Sequence, residues 1–567
     1  MYRGLYMANF DFLKNIVEYK VFADAAIEAE RVFHSSPSMC AIGCRKALEL
    51  AVKWVYTADT SMIMPYKDNL QSLLHAKSFK EELPESLWRE LQPIVKMGNL
   101  AVHSDTKILP RTAIISLQGL FNFIEWIDYC YGYSYVERTF DENAIPKTIV
   151  PVDVKKIKEQ ESLIAQNAQQ IEQLYLEIEK LSKLLSASKF EHIVTRSLPK
   201  VPETEAETRR YIIDVDLKLM GWEFEGPNKN VFEEFKVANP YIPGGSNLSV
   251  DYVLMGRDGK PLALIEAKKT SRNINDGKTQ ALAYANALER EYGQRPIIFL
   301  SNGYETHMWD DLEWNMRHVS SVYGVSDLER LIVRRKLDKP ILSTIPINDN
   351  ISARSYQKEA IRAVCQNLEN KVRRSLLVMA TGTGKTRTSV SLVDVLFRSN
   401  QVTNVLFLAD RIALVSQAKD AFREHLPSAS LCNLCESKDD KNARIVFSTY
   451  PTILNAIEKS LDGEGKRLFT PGHFDLIIVD ESHRSIFKKY RAIFEYFDAI
   501  LVGLTATPKS EVDRNTFDFF EVENGVPTYA YSYDEAIRDN YLVPYYNFEI
   551  ESKFLSDGIV YDELSTE

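Results

Sequence analysis

Six cysteines in 567 residues provide no disulfide framework, as expected for a chain kept in a reducing compartment. Cys432 and Cys435 have zinc-like spacing, but no second Cys or His pair lies nearby to complete four ligands. No run approaches the ~18 apolar residues a membrane span needs, and the opening Met1 to Asp11 lacks the uninterrupted apolar stretch of a signal peptide. A cytoplasmic protein without a membrane partner is expected. Positive charge is also scarce: 69 Lys and Arg against 79 Asp and Glu give a net charge of −10. That excludes a whole-chain electrostatic footprint for nucleic acid and leaves DNA to local basic patches. A chain 45% hydrophobic and 26% charged is neither disordered nor fibrous. Its length suits about three to five domains.

The chain divides by texture into a multidomain α/β protein with an all-α front. Apolar residues recur at three and four across Phe22–Phe33 and Arg45–Tyr56, predicting helices and an all-α N-terminal domain over residues 1–150. Met97-Gly-Asn-Leu-Ala-Val-His103 resembles the signature of a small helical domain at the front of some bacterial defence proteins. His103 is expected to pack or cap there, not to catalyse. Ile157, Ile164, Ile171, Ile178 and Leu185 stand seven apart with Leu174 and Leu181 offset by three. This a/d seam predicts a helical coiled-coil connector over 151–195. Polar Gln160 and Asn167 weaken its start, so a single long helix lying on a neighbouring domain is the alternative. Two α/β blocks follow, 196–340 and 341–545, separated by the Pro-bearing stretch Lys339–Pro346.

In the first block, Asp251 enters an otherwise apolar strand, and a short turn leads to Leu262-Ala-Leu-Ile-Glu-Ala-Lys268. Residues two apart in a strand share a face, so Glu266 and Lys268 point together, and hairpin geometry brings Asp251 alongside. Two carboxylates projecting from an apolar sheet are costly to bury unless they hold a hard cation, which takes oxygen ligands. The expectation is a Mg²⁺ site held by Asp251 and Glu266. There the metal polarises a phosphodiester and Lys268 positions the nucleophile or offsets developing charge. The preceding helix offers Glu205 or Glu207 as a further acid, with Glu207 preferred. These residues resemble the PD-(D/E)XK nucleases, with Asp251 as first acid and Glu266-Ala-Lys268 as the ExK element. Gln280 and Tyr284, one turn apart on the next helix, match the QxxxY element of the branch of that family fused to DNA motors. Lys268, Lys269, Arg272 and Lys278 lie close in sequence, suited to backbone contact with DNA.

In the second block, Ser375–Met379 reads as a strand and Ala380-Thr381-Gly382-Thr383-Gly384 as a turn that opens a helix at Lys385-Thr386. Gly382 and Gly384 let successive N–H groups face an anion, Lys385 reaches the β- and γ-phosphates, and Thr386 ligates Mg²⁺. The strict phosphate-loop spacing wants Gly where Met379 stands. Phe474-Asp-Leu-Ile-Ile-Val-Asp480-Glu481 is a buried strand with acids at its carboxyl end. Asp480 is expected to complete the magnesium shell and Glu481 to orient the attacking water. The segment resembles superfamily 2 helicases. Arg354-Ser-Tyr-Gln357 resembles the Q motif, with Gln357 on the adenine, and Leu504-Thr-Ala-Thr-Pro508 resembles the motif coupling hydrolysis to movement. Val405–Arg411 and Val446–Pro451 match segments that touch the DNA backbone.

The order of helical front, connector, nuclease and motor resembles the HsdR-type restriction subunit of type I restriction–modification enzymes. The resemblance implies ATP and Mg²⁺ as cofactors and duplex DNA as substrate. It also implies methyltransferase and specificity subunits as partners, and ATP-driven translocation before cutting of unmodified foreign DNA. After Pro508 only about 60 residues remain, against ~150 for a second RecA-like domain. Residues 546–567 are therefore expected to begin a following domain, and the chain to be an N-terminal portion that binds ATP but hydrolyses it poorly. Two alternatives stay open: a standalone defence helicase–nuclease, and a non-catalytic DNA-binding or assembly module whose nuclease residues are relics.

Overall fold

The computed structural model describes residues 8–62, 64, 70–103, 108–147, scattered positions from 178 to 196, 206–238, 248–267, 277–436, 442–459, 467–480, 490–506, 514–523 and 525–544. Residues 20–131 form a helical body from helices Lys20–Arg31, Pro37–Ala58, Leu70–His75, Lys77–Glu82, Glu85–His103 and Pro110–Tyr131. Ser36 caps the second of these by accepting from Met39 N at 3.3 Å, and Pro37 occupies its first turn, where a missing N–H costs nothing. A Cβ on Gly43 would lie 2.8 Å from Ala29 Cβ, so glycine sets the close crossing of the first two helices. Trp54 is fully buried against Tyr19, Phe22 and Tyr131 in edge-to-face contacts.

The seam residues Ile157 to Leu174 lie outside the described residues. At its far end Ile178 and Leu185 are buried in the helical body's own core. There Lys189 reaches Asp59 at 2.7 Å and Glu82 at 2.6 Å, and Ser186 accepts from Thr60 N at 2.8 Å. These described positions pack on the neighbouring helical body.

Next comes a six-stranded sheet in the order β1 (Val231–Val237), β2 (Leu248–Met255), β3 (Pro261–Ala267), β4 (Ile297–Ser301), β5 (Thr306–Trp309), β6 (Arg317–Val319). Only β3 and β4 pair in parallel, and helix Lys278–Tyr292 makes the crossover. That helix covers the face of Val253, Leu264 and Leu300. The opposite face, with Tyr252, Leu254 and Ile265, packs with helices Ala206–Leu219 and Val325–Lys336 in one core continuous with the helical body.

The last sheet has seven strands, all paired in parallel, in the order β13 (Tyr529–Tyr531), β7 (Arg374–Met379), β12 (Ile500–Thr505), β11 (Leu476–Val479), β8 (Val405–Ala409), β10 (Ile445–Thr449), β9 (Leu431–Asn433). Its central strands are continuous apolar runs because helices cover both faces. Among the described residues no helix is long and apolar enough to cross a membrane.

Candidate functional site

The β2–β3 register sets Tyr252 opposite Ile265 and Val253 opposite Leu264. Asp251 and Glu266 therefore fall on the face covered by helix Lys278–Tyr292. The Asp251 carboxylate accepts from Ala267 N at 2.7 Å, and Glu266 is buried, only 3% exposed. From the covering helix, Gln280 donates to the Tyr284 hydroxyl at 2.5 Å. Burial pushes the Tyr284 phenol up, the Gln280 amide opposes it, and Glu266, Asp251 and Glu234 raise it further. The structure thus brings Asp251, Glu266, Gln280 and Tyr284 together. Lys268, Glu205 and Arg272 lie outside the described residues, as does the side chain of Glu207 on its helix Ala206–Leu219. That helix lies on the other face of the sheet, where the Tyr252 hydroxyl donates to Asp214 at 3.0 Å.

Glu234 was missed. It lies on β1 at φ 47°, a left-handed conformation that interrupts the ladder between the Glu233–Tyr252 and Phe235–Val250 pairs, and it accepts from Ser249 at 3.1 Å. Two consecutive acids in a strand were the available signal. The donor chemistry of Asp251 and Glu266 suits a hard cation. Among the described residues no group of three His, Cys, Asp or Glu side chains could hold a metal. Any further ligands would come from elsewhere.

At the other sheet, β7 ends in a turn with Gly382 and Gly384 at φ 86° and 87°, conformations that favour glycine. Thr383 is fully buried and donates its hydroxyl to Ala380 O at 2.6 Å, closing the turn ahead of helix Lys385–Arg398. Gln357 braces the turn. Its amide donates to Thr383 O at 3.0 Å, beside the Tyr356 hydroxyl on the same carbonyl at 2.8 Å. A Cβ on Gly384 would stand 2.6 Å from that amide nitrogen. Asp480, 9% exposed, follows β11, two strands from β7 with the end of β12 between. Glu481 lies outside the described residues. Asp410-Arg411 after β8 and Thr449-Tyr450 at the end of β10 are side by side, since those strands are neighbours.

The mixed sheet grips the parallel sheet at the opposite ends of these strands. Asp498, ahead of β12, accepts from Arg317 of β6 at 2.7 and 2.9 Å and from Arg373, ahead of β7, at 2.7 Å. The Tyr323 hydroxyl is a further donor. Burial alone would raise the Asp498 carboxyl, but Arg373 and Arg317 hold it far below the usual carboxylate range. Arg334 pairs with Asp475, ahead of β11, and Arg330 donates to the carbonyls of Gly472 and His473 at 2.8 and 2.9 Å. A cavity of about 720 Å³ lies where the helical body meets both sheets, lined in part by His75, Trp88, Arg317 and Glu495. Neither Asp251, Glu266, Gln280 and Tyr284 nor Gln357, Gly382, Gly384 and Asp480 line it.

Fold and site define a parallel α/β domain with a glycine turn of phosphate-loop form, joined to a mixed α/β domain. Residues 350–510 match the family described as "Type III restriction enzyme, res subunit", and residues 131–317 match "Type I restriction enzyme R protein N terminus". Residues 27–143 match a domain of unknown function, DUF4145. The EcoAI type I restriction endonuclease subunit of Escherichia coli is 32% identical over 313 residues, covering 52% of this chain and 37% of the relative. The EcoKI endonuclease subunit of Escherichia coli K12 is 24% identical over 436 residues, covering 62% and 36%. A solved HsdR fragment from Vibrio vulnificus is 26% identical and covers 59% of this chain and 61% of its own, with a TM-score of 0.27, too low to bear on the fold. In these matches the chain is similar to the HsdR-type subunits of type I restriction enzymes. It spans a little over a third of the length of the curated relatives it matches.

Proposed function

We propose that this chain carries the nuclease and first motor domains of an ATP-driven, DNA-translocating endonuclease that cuts unmodified duplex DNA in the cytoplasm with methyltransferase and specificity subunits. In this reading residues 196–340 are a PD-(D/E)XK nuclease domain and 341–545 the first RecA-like domain, with a helical domain over 1–150 and a connector over 151–195. The observation that carries it is the shared face of Asp251, Glu266, Gln280 and Tyr284 in the same chain as the glycine turn at Gly382 and Gly384.

Asp251 and Glu266 would hold Mg²⁺, which when bound polarises the scissile phosphate. Lys268 offsets charge on that phosphate, and Tyr284, kept protonated, holds the Gln280 amide in place. In the motor, N–H groups around Gly382 and Gly384 cradle the triphosphate, Lys385 neutralises it, and Asp480 with Thr386 would hold its magnesium ion. Glu481 orients water.

The test is Mn²⁺ titration followed by electron paramagnetic resonance, without nucleotide, on the wild-type chain and on Asp251→Ala and Lys268→Ala. One stoichiometric site lost only in Asp251→Ala supports the reading. Equal Mn²⁺ binding by wild type and Asp251→Ala rejects it in favour of a relic site.

A further inference from the structure

The segment that follows β13 packs beside the glycine turn. Helix Tyr533–Arg538 is capped at Ser532, whose hydroxyl and N–H exchange hydrogen bonds with Glu535. Beyond it Asn540 adopts φ 61°, and both Tyr541 N and Leu542 N return to Ala536 O, at 2.8 and 3.0 Å. This closed turn throws the chain back over the phosphate loop. Leu542 packs on Gly382, its Cδ2 standing 3.1 Å from where a Cβ would be. Tyr541 meets Tyr356 edge to face at 5.2 Å, and the Arg354 guanidinium lies 4.9 Å from the Tyr541 ring centroid while donating to the Tyr356 hydroxyl at 2.7 Å.

Tyr356 and Gln357 nearby both bond the turn itself. Tyr356 is 2% exposed and stacked on Tyr531 at 4.0 Å, so its ring offers no free face. The Gln357 amide nitrogen serves Thr383 O. Tyr541 differs, with 38% of its surface exposed. A half-exposed aromatic ring beside a planar cation, next to a phosphate loop, has the chemistry that holds a flat heterocycle by stacking.

We propose that Tyr541 and Arg354 form the platform for the base of the bound nucleoside triphosphate, with Tyr541 as the residue that makes the base contribute to affinity. The proposal rests on the reading of the parallel sheet as an ATP site. It goes beyond that reading in assigning the base contact to a residue on the far side of β13 from every motif found in the sequence.

Calorimetric titration of the whole chain with ATP and with inorganic tripolyphosphate, both with magnesium, tests it. Tripolyphosphate carries the same charges without a base. Tyr541→Ala is expected to weaken ATP about tenfold, as for loss of one base–aromatic stack, and to leave tripolyphosphate unchanged. Tyr541→Phe keeps the ring and is expected to bind ATP like wild type. Unchanged ATP affinity in Tyr541→Ala overturns the proposal, as does an equal loss of both ligands, which would mark a purely structural role for the turn. If the wild-type chain binds neither ligand, the ATP-site reading itself fails and this proposal falls with it.

Discussion

Asp498 is the most heavily bridged carboxylate at the junction of the two sheets, and Asp498→Ala is the most informative perturbation there. The carboxylate takes hydrogen bonds from Arg317, Arg373 and Tyr323, and the three charged side chains are 10, 19 and 20% exposed for Asp498, Arg317 and Arg373. Removing one partner of a buried ion pair costs ~3–5 kcal/mol, chiefly because the survivor stays desolvated without a counterion. Here two guanidiniums are stranded by one substitution, so a loss near ~4–5 kcal/mol is expected. Urea denaturation followed by tryptophan fluorescence reads it, with Trp314 5.3 Å from Arg373 as the local reporter. The chain has several domains, so the loss should appear as a separate early transition of the junction rather than one shifted midpoint. Replacing the whole set, Asp498→Leu with Arg317→Met and Arg373→Met, should recover most of the loss, because the desolvated charges vanish together. A single variant within ~1 kcal/mol of wild type would refute the reasoning, as would a triple variant as unstable as the summed single losses. The carboxyl is held well below its ordinary value, so its contribution is complete above the usual carboxylate range and is lost only as the pH falls through the depressed value.

Gly384→Ala should abolish binding of both ATP and tripolyphosphate, since the new Cβ combines a positive φ with a 2.6 Å approach to the Gln357 amide; calorimetry that finds either ligand still bound would contradict this. Glu90 is buried with its carboxyl raised to about 7, by burial against the partial relief of the Asn122 amide. A raised acid binds its proton more tightly folded than unfolded, so its stabilising contribution is full below ~4.5 and is lost as the pH rises through about 7. Glu90→Gln should therefore raise the melting temperature at pH 8 and not at pH 4.5, and a gain equal at both would refute the assignment. Lys189→Met strands the buried Asp59 beside Glu82 and should lower helical-body stability by ~3 kcal/mol or more; an unchanged circular-dichroism melt would exclude it.

The apolar runs at Leu376–Met379 and Leu476–Val479 are legible as buried strands because parallel strands covered on both faces need no polar alternation. Glycines at 382 and 384 are legible because only a left-handed turn there accounts for both. The pairing of Asp251 with Glu266 follows from a hairpin of short span. Glu234 was legible only as the second of two consecutive acids in a strand: its nearness to the site depends on a left-handed residue there, which no spacing rule anticipates. The Asp498 cluster joins positions 125 and 181 residues apart in sequence, each looking like an ordinary surface charge in its own segment. The bond from the Gln357 amide nitrogen to the loop carbonyl was not legible, because it is set by rotamer and not by motif. Tyr541 belongs to no motif at all.

Seven strands running the same way give the larger sheet a front and a back. Arg373, Asp475 and Asp498 sit at the back, bolted to the neighbouring domain, while Gly382, Lys385, Asp480 and Thr505 face forward. The thickness between them is one strand of six residues, ~20 Å at the usual rise per residue. Whatever approaches the glycine turn meets the front edge alone, while the rear edge is held by the ion pairs to the neighbouring domain. The glycine turn and the contacts to the mixed sheet thus occupy opposite edges of one plate, and either can be altered without obstructing the other.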